Sequence, residues 1–232
     1  MLLLALDTST VACSVALLRA EAIVAAEEQP MIRGHAEALL PMVARIMTRA
    51  GAPFGAIDRL AVTIGPGHFT GLRAGIAAAR GLALALDRPL VGVTTLEAIA
   101  AGVPEAERRG RVVIVAIDSK REEAYVQAFD EGLVARASPA ALRPADYAAK
   151  FAAARPAMPV VLAGDAAEAL GRALAALGLE IAHANARGHA NAAVVARLAA
   201  RRPVPEAAPR PLYLHPPETK PAALRPAPLA AS

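Results

Sequence analysis

The chain has 232 residues with a formal net charge of +4, and 56% of it is hydrophobic, much of that alanine. This allows one large domain or two small ones with real cores. Aromatics are only 3% and tryptophan is absent, which argues against holding single-stranded nucleic acid on exposed rings; one cysteine, Cys13, excludes an internal disulfide.

Leu2–Leu6 reads as a buried strand, Asp7-Thr8-Ser9-Thr10 as a polar turn, Ala12–Leu18 as a second strand and Ile23–Glu28 as a third. The apolar start reaches Asp7 too soon for a signal peptide, and no uninterrupted apolar run approaches the roughly 20 residues of a membrane span, so a cytoplasmic protein without a membrane contact is expected. His35–Ala50 has helical periodicity, with Leu39, Val43, Ile46, Met47 and Ala50 on one stripe and Gly51 as the stop. Strand Leu60–Ile64 leads through Gly65-Pro66-Gly67-His68-Phe69 into a helix over Thr70–Leu86. A glycine-rich bend at such a junction permits close backbone approach. Thr70 can cap the helix, whose free amides favour an anion, although the lysine of a Walker loop and the spacing of a dinucleotide fingerprint are missing. A short strand over Pro89–Val93 and a helix from Thr95, capped by it, to Gly102 follow.

Pro104–Arg111 is charged and contains glycine, and divides a first lobe (1–104) from a second, smaller one (105–202). Its arginines, like Arg201-Arg202, read as solvated loop ends. The second lobe is expected to hold strands Val112–Ile117, Ala124–Phe129 and Leu133–Arg136, a helix Ala145–Ala154, a strand Val160–Ala163 and helices Ala166–Leu177 and Ala190–Ala200. Residues 203–232 are rich in proline and are expected to be an extended tail anchored by Leu212-Tyr213-Leu214.

Three strands followed by helix, strand, helix, strand and helix is the order of the ribonuclease H-like half-domain of sugar kinases, actin and heat-shock ATPases. The expected fold is therefore a two-lobed α/β protein of this ASKHA type, with the second half a shorter copy of the first. In that fold the turn between the first two strands approaches nucleotide phosphates, and Asp7-Thr8-Ser9-Thr10 occupies it here. Asp7 fits two roles, orienting a metal-nucleotide or holding the hairpin turn. Asp118 with Ser119 opens the second half in the same way.

Several runs resemble the bacterial TsaB (YeaZ) family. They are Leu6-Asp7-Thr8-Ser9 with Cys13-Ser14-Val15-Ala16-Leu17, His35-Ala36-Glu37-Ala38-Leu39-Leu40-Pro41, and Ile64-Gly65-Pro66-Gly67-His68-Phe69-Thr70-Gly71-Leu72-Arg73 with its continuation to Gly81. Val91-Gly92-Val93-Thr94-Thr95-Leu96-Glu97, Asp118-Ser119-Lys120-Arg121-Glu122-Glu123-Ala124-Tyr125 and Pro211-Leu212-Tyr213-Leu214 continue it. His68 departs from the serine usual in the family. The resemblance implies a non-catalytic, peptidase M22-like subunit that pairs with TsaD and is joined by the ATPase TsaE. The assembly installs N6-threonylcarbamoyladenosine at position 37 of ANN-decoding tRNAs. It implies tRNA contact through the complex, a homodimer when the partner is missing, and Asp7, Thr8, Ser9, Gly65, Gly67 and Thr70 as degenerate nucleotide-loop positions. A stand-alone nucleotide-dependent enzyme or an M22-type metallopeptidase is the alternative.

The residues bear on that choice. TsaD-like relatives hold metal with histidines at i and i+4, but Leu39 stands four residues after His35, and Glu37 lies roughly 200° around the helix. No metal, cofactor or catalytic residue of its own is therefore expected. In the second helix Ala74, Ala78, Gly81 and Ala85 form a stripe of very small side chains that would let another helix approach closely. With Leu39, Val43 and Met47 of the first helix, this stripe is the expected partner interface, because the resemblance implies pairing through the first two helices. Leu72, Ile76, Ala79, Ala83 and Leu86 are expected to pack inward.

Overall fold

The computed structural model of the protein describes residues 1–154 and 158–215. β1 (Leu2–Asp7), β2 (Ala12–Arg19) and β3 (Ala22–Pro30) form an antiparallel meander, extended by parallel pairing of β4 (Arg59–Thr63) and β5 (Leu90–Val93). The sheet order is β3-β2-β1-β4-β5. α1 (His35–Arg49) and α2 (Phe69–Leu86) are the crossovers, and α3 (Thr95–Gly102) and α4 (Glu105–Arg108) lead away. The second half repeats the plan. β6 (Val112–Asp118), β7 (Ala124–Phe129) and β8 (Ala140–Leu142) are antiparallel, and β9 (Val160–Ala163) and β10 (Ile181–His183) add in parallel, in the order β10-β9-β6-β7-β8. α5 (Pro144–Ala153), α6 (Ala167–Ala175) and α7 (Ala192–Ala200) complete the α-helices among the described residues, and a 3-10 turn spans Phe54–Ala56 before β4.

Strand alternation sorts the apolar residues into layers. Leu2, Leu4, Leu6, Cys13, Val15 and Leu17 point to α1 and α2. The opposite face, with Leu3, Ala5, Ala16 and Leu18, meets α3 and α7, which in turn pack on Val113, Val115 and Ile117 of the second sheet. The outer face of that sheet, with Val112, Ile114 and Ala116, is covered by α5 and α6.

Several expectations are corrected. Leu133–Arg136 is a turn with a single bridge, Phe129 to Ala135, and the third strand of the second half is instead β8. Leu133 itself has φ +67°, which no regular strand accommodates. The closing strand β10 was not foreseen. α2 begins one residue early, with His68 rather than Thr70 at its cap and no side-chain capping bond, while Thr70 is exposed. Thr94, not Thr95, caps α3; its hydroxyl accepts from the Glu97 amide and the Glu97 carboxylate accepts from the Thr94 amide. α7 starts at Ala192 behind Asn191, whose side chain accepts from the Ala193 amide at 2.9 Å.

α7 was expected within the second lobe, but it packs on β1 and β2 of the first sheet. The Ala192 amide donates to Ser14 Oγ at 2.9 Å, and Arg59 donates to the carbonyls of Ala199 and Arg202 at 3.0 and 2.8 Å. The described part of the tail is an irregular strap that is docked. The Leu212 amide donates to the Ile64 carbonyl at 2.7 Å, Arg80 to the Pro209 carbonyl at 2.7 Å, and Arg73 to the Tyr213 hydroxyl at 3.0 Å. The tail reading for 216–232 lies outside the described residues. Among the described helices α2 is the one long and apolar enough by composition to cross a membrane, yet Leu72, Ile76 and Ala79 bury one of its faces on the first sheet.

Candidate functional site

The turn after β1 is the focus of the first lobe. Parallel pairing of Leu6 with Val62 sets Asp7 beside Thr63, so two polar residues end adjacent apolar strands. Asp7 Oδ1 accepts from the Ser9 amide at 3.0 Å, the Ser9 hydroxyl at 2.6 Å and the Thr63 hydroxyl at 2.6 Å. Its other oxygen is buried without a partner. Burial raises the Asp7 pKa above the ordinary carboxylate value, against the bonds from Ser9 and Thr63.

The glycine loop lies directly on this turn. A Cβ at Gly67 would overlap the Ser9 carbonyl, one at Gly71 the Thr8 carbonyl, and one at Gly75 the Thr8 hydroxyl. These three positions therefore require glycine for close approach. The His68 amide donates to the Ser9 carbonyl at 2.8 Å and Thr8 Oγ1 to the Gly71 carbonyl at 2.7 Å. His35, at the start of α1, is buried and its Nε2 lies 3.1 Å from the Thr10 carbonyl. The turn is thus sealed on two sides, and Thr8, Ser9 and Thr10 are 1%, 0% and 2% exposed. Of the expected loop positions, Asp7, Thr8, Ser9 and Gly67 come together. Gly65, at φ +103°, faces the Leu212 carbonyl of the strap instead, and Thr70 faces solvent. Sequence reasoning missed Thr63 and the His35 contact with Thr10. The only signal for Thr63 was its place as a polar end to an apolar strand.

In the second half Asp118 ends β6 as Asp7 ends β1. Its carboxylate accepts from the Lys120 amide and ammonium, each at 2.7 Å, and the Lys120 bond lowers its pKa. Asp165 accepts from the Asp118 amide at 2.8 Å, and burial raises its pKa. A cleft of about 1130 Å³ is walled by the start of α1, the glycine loop, residues 118–121 and the strap, and not by the sealed turn itself. Burial, with Lys120 nearby, holds the His68 imidazole below its ordinary pKa. Among the described residues, no group of three or more His, Cys, Asp and Glu side chains is placed to hold a metal.

The residues expected at a partner interface divide. Leu39, Val43 and Met47 are 1%, 1% and 2% exposed and fill the chain's own core against the first sheet. Their stripe is the inner face of α1, because an apolar stripe carries no mark of what covers it. Ala74 and Ala78 are half-buried and Gly81 and Ala85 exposed; Leu84 beside them is 85% exposed. Leu40 on α1 is also exposed.

A family model described as TsaD, tRNA N6-adenosine threonylcarbamoyltransferase, matches residues 29–199. A crystal structure of an uncharacterized protein from Pseudomonas aeruginosa, with similarity to peptidase YeaZ, is 32% identical. It superposes with a TM-score of 0.78 over 92% of this chain and 99% of that one. The chain belongs to the TsaD family, in its TsaB/YeaZ branch. The TsaB of Escherichia coli K12, described as a tRNA threonylcarbamoyladenosine biosynthesis protein, is 43% identical over 125 residues. That stretch is 54% of this chain and 53% of that protein, so the chain spans about half the length of the curated relatives it matches. A ROK hexokinase from Thermus thermophilus, 17% identical with a TM-score of 0.50 over 86% of this chain and 98% of that one, shares the two-lobed ASKHA fold of this TsaB/YeaZ-branch chain.

Proposed function

We propose that the chain is the non-catalytic scaffold subunit of the cytoplasmic complex that installs N6-threonylcarbamoyladenosine at position 37 of ANN-decoding tRNAs. It pairs with TsaD, the ATPase TsaE joins the pair, and two copies of the chain pair with each other when TsaD is missing. The observation that carries this reading is the sealed turn. A phosphate reaching Asp7-Thr8-Ser9-Thr10 would have to displace Gly67 and Gly71 from the Ser9 and Thr8 carbonyls, so the turn serves as a packing joint between β1 and α2. The small stripe of α2, half-buried at Ala74 and Ala78 and exposed at Gly81 and Ala85 beside Leu84, supports a role in association: a helix face that leaves large and small apolar groups in water gains from a partner.

The testing experiment reconstitutes this chain, TsaD, TsaE, threonylcarbamoyl-adenylate and a tRNA transcript, omitting each in turn. Modified tRNA is expected only when this chain and TsaD are both present. Turnover by this chain alone, or full modification without it, would overturn the proposal.

A further inference from the structure

The wall of the cleft carries a feature unused so far. Phe69 and Tyr213 stand at its rim 53% and 44% exposed, with ring centroids 5.7 Å apart. The Arg73 guanidinium lies 3.6 Å from the Phe69 centroid and 5.8 Å from that of Tyr213. Its Nε donates to the Tyr213 hydroxyl at 3.0 Å, which fixes the planar cation against both rings. Residues 118–121, which line the same cleft, bring Lys120 and Arg121, and Arg33 stands exposed before α1. The acids in the same wall are Glu37 and Asp118, and Asp118 is already paired with Lys120.

Few aromatics exist in the chain, but the fold gathers two of them, with a stacked arginine, at one exposed place that composition could not reveal. Ring faces accept any unstacked base, guanidinium groups both stack and pair with phosphate, and lysine neutralises phosphate as a point charge. A duplex keeps its bases stacked inside and offers the rings nothing. We propose that this wall contacts single-stranded RNA directly, the unpaired anticodon loop of a tRNA laying its bases on Phe69 and Tyr213 and its phosphates on Arg33, Arg73, Lys120 and Arg121. The assignment rests on the reading that the chain works on tRNA, and places part of the RNA contact on this subunit.

The test is a fluorescence-anisotropy titration of a labelled anticodon stem-loop RNA with the full chain, alone and assembled with TsaD, over a series of salt concentrations. Phe69→Ala is expected to weaken binding about 5- to 150-fold, the range for loss of one stacked base. Arg33→Gln should flatten the slope of log affinity against log salt by about 0.7, and Arg33→Gln with Lys120→Gln by between about 0.7 and about 1.4, because the Lys120 ammonium is already paired with Asp118. Arg19→Gln, an exposed change at the far end of β2, should leave both readings unchanged. Variants that bind as the parent does, a duplex RNA bound as tightly as the loop, or ATP occupying the cleft while loop RNA does not bind would each overturn the RNA wall. If modification needs this chain while Phe69→Ala and the double variant keep full tRNA affinity, the wall is refuted and the scaffold role stands. Modification that proceeds without the chain refutes the scaffold role instead.

Discussion

Replacing Gly71 by alanine puts a methyl group inside the Thr8 carbonyl, a backbone atom that cannot rotate aside. Overpacking of a filled contact costs about 1–3 kcal/mol. The outward shift of α2 also strains the buried bond from Thr8 Oγ1 to the Gly71 carbonyl, worth about 1 kcal/mol. Alanine offsets at most about 1 kcal/mol of this through helix propensity. The net expectation is a loss of about 1–3 kcal/mol. Gly81, in the same helix, has nothing within 4 Å of an added Cβ, so Gly81→Ala should gain up to about 1 kcal/mol. In a chain of this size 1 kcal/mol moves Tm by roughly 2–4 °C. Thermal and urea unfolding followed by circular dichroism should therefore give opposite signs for one chemical change at two positions of one helix. A Gly71→Ala protein as stable as the parent would refute the sealed turn as a close-packed joint.

Further outcomes follow from burial and exposure. Because burial raises the Asp7 pKa, the folded state holds that proton more tightly than the unfolded chain, so stability falls as pH rises from about 4 through the folded value. Asp7→Asn removes this titration, and its stability relative to the parent should improve over that window; a pH-independent difference would contradict the sign. Burial pushes the Cys13 thiol up to about 12, so a thiol reagent at mild alkaline pH should react only after unfolding, and rapid labelling of the native protein would show an open first core. Gly81→Arg should leave the circular dichroism unchanged and abolish capture by TsaD; capture at parental affinity would move the partner surface away from the α2 stripe.

The element order was legible because each strand is short, apolar and ended by a polar or glycine signal, and because α1 and α2 carry clear stripes. From that order the topology of the first sheet follows, and of the second sheet only the central strands β6, β7 and β9. The glycine loop was legible as a place of close approach, but the object approached was not: that depends on the parallel pairing of β1 with β4, which brings Thr63 to Asp7 and α2 over Thr8. Leu39, Val43 and Met47 show the opposite limit. Their spacing marks a face, but burial on the first sheet and burial on another chain produce the same pattern. β8 and β10 escaped because each has only three residues, too few to display alternation. The docking of the strap depends on backbone and arginine bonds to residues some 130 to 150 positions earlier, which no local pattern encodes.

The placement of α7 has a consequence for how the chain is made. The inner face of the first sheet, with Leu3, Ala5, Ala16 and Leu18, is closed partly by a helix that leaves the ribosome about a hundred residues after β5. Until Ala192–Ala200 arrives, the nascent first half holds an uncovered apolar surface and a Ser14 hydroxyl awaiting its donor. A fragment cut at the Pro104–Arg111 junction would keep that uncovered surface permanently. One short helix therefore closes the inner face of the first sheet and joins β1 and β2, made first, to the second sheet made much later.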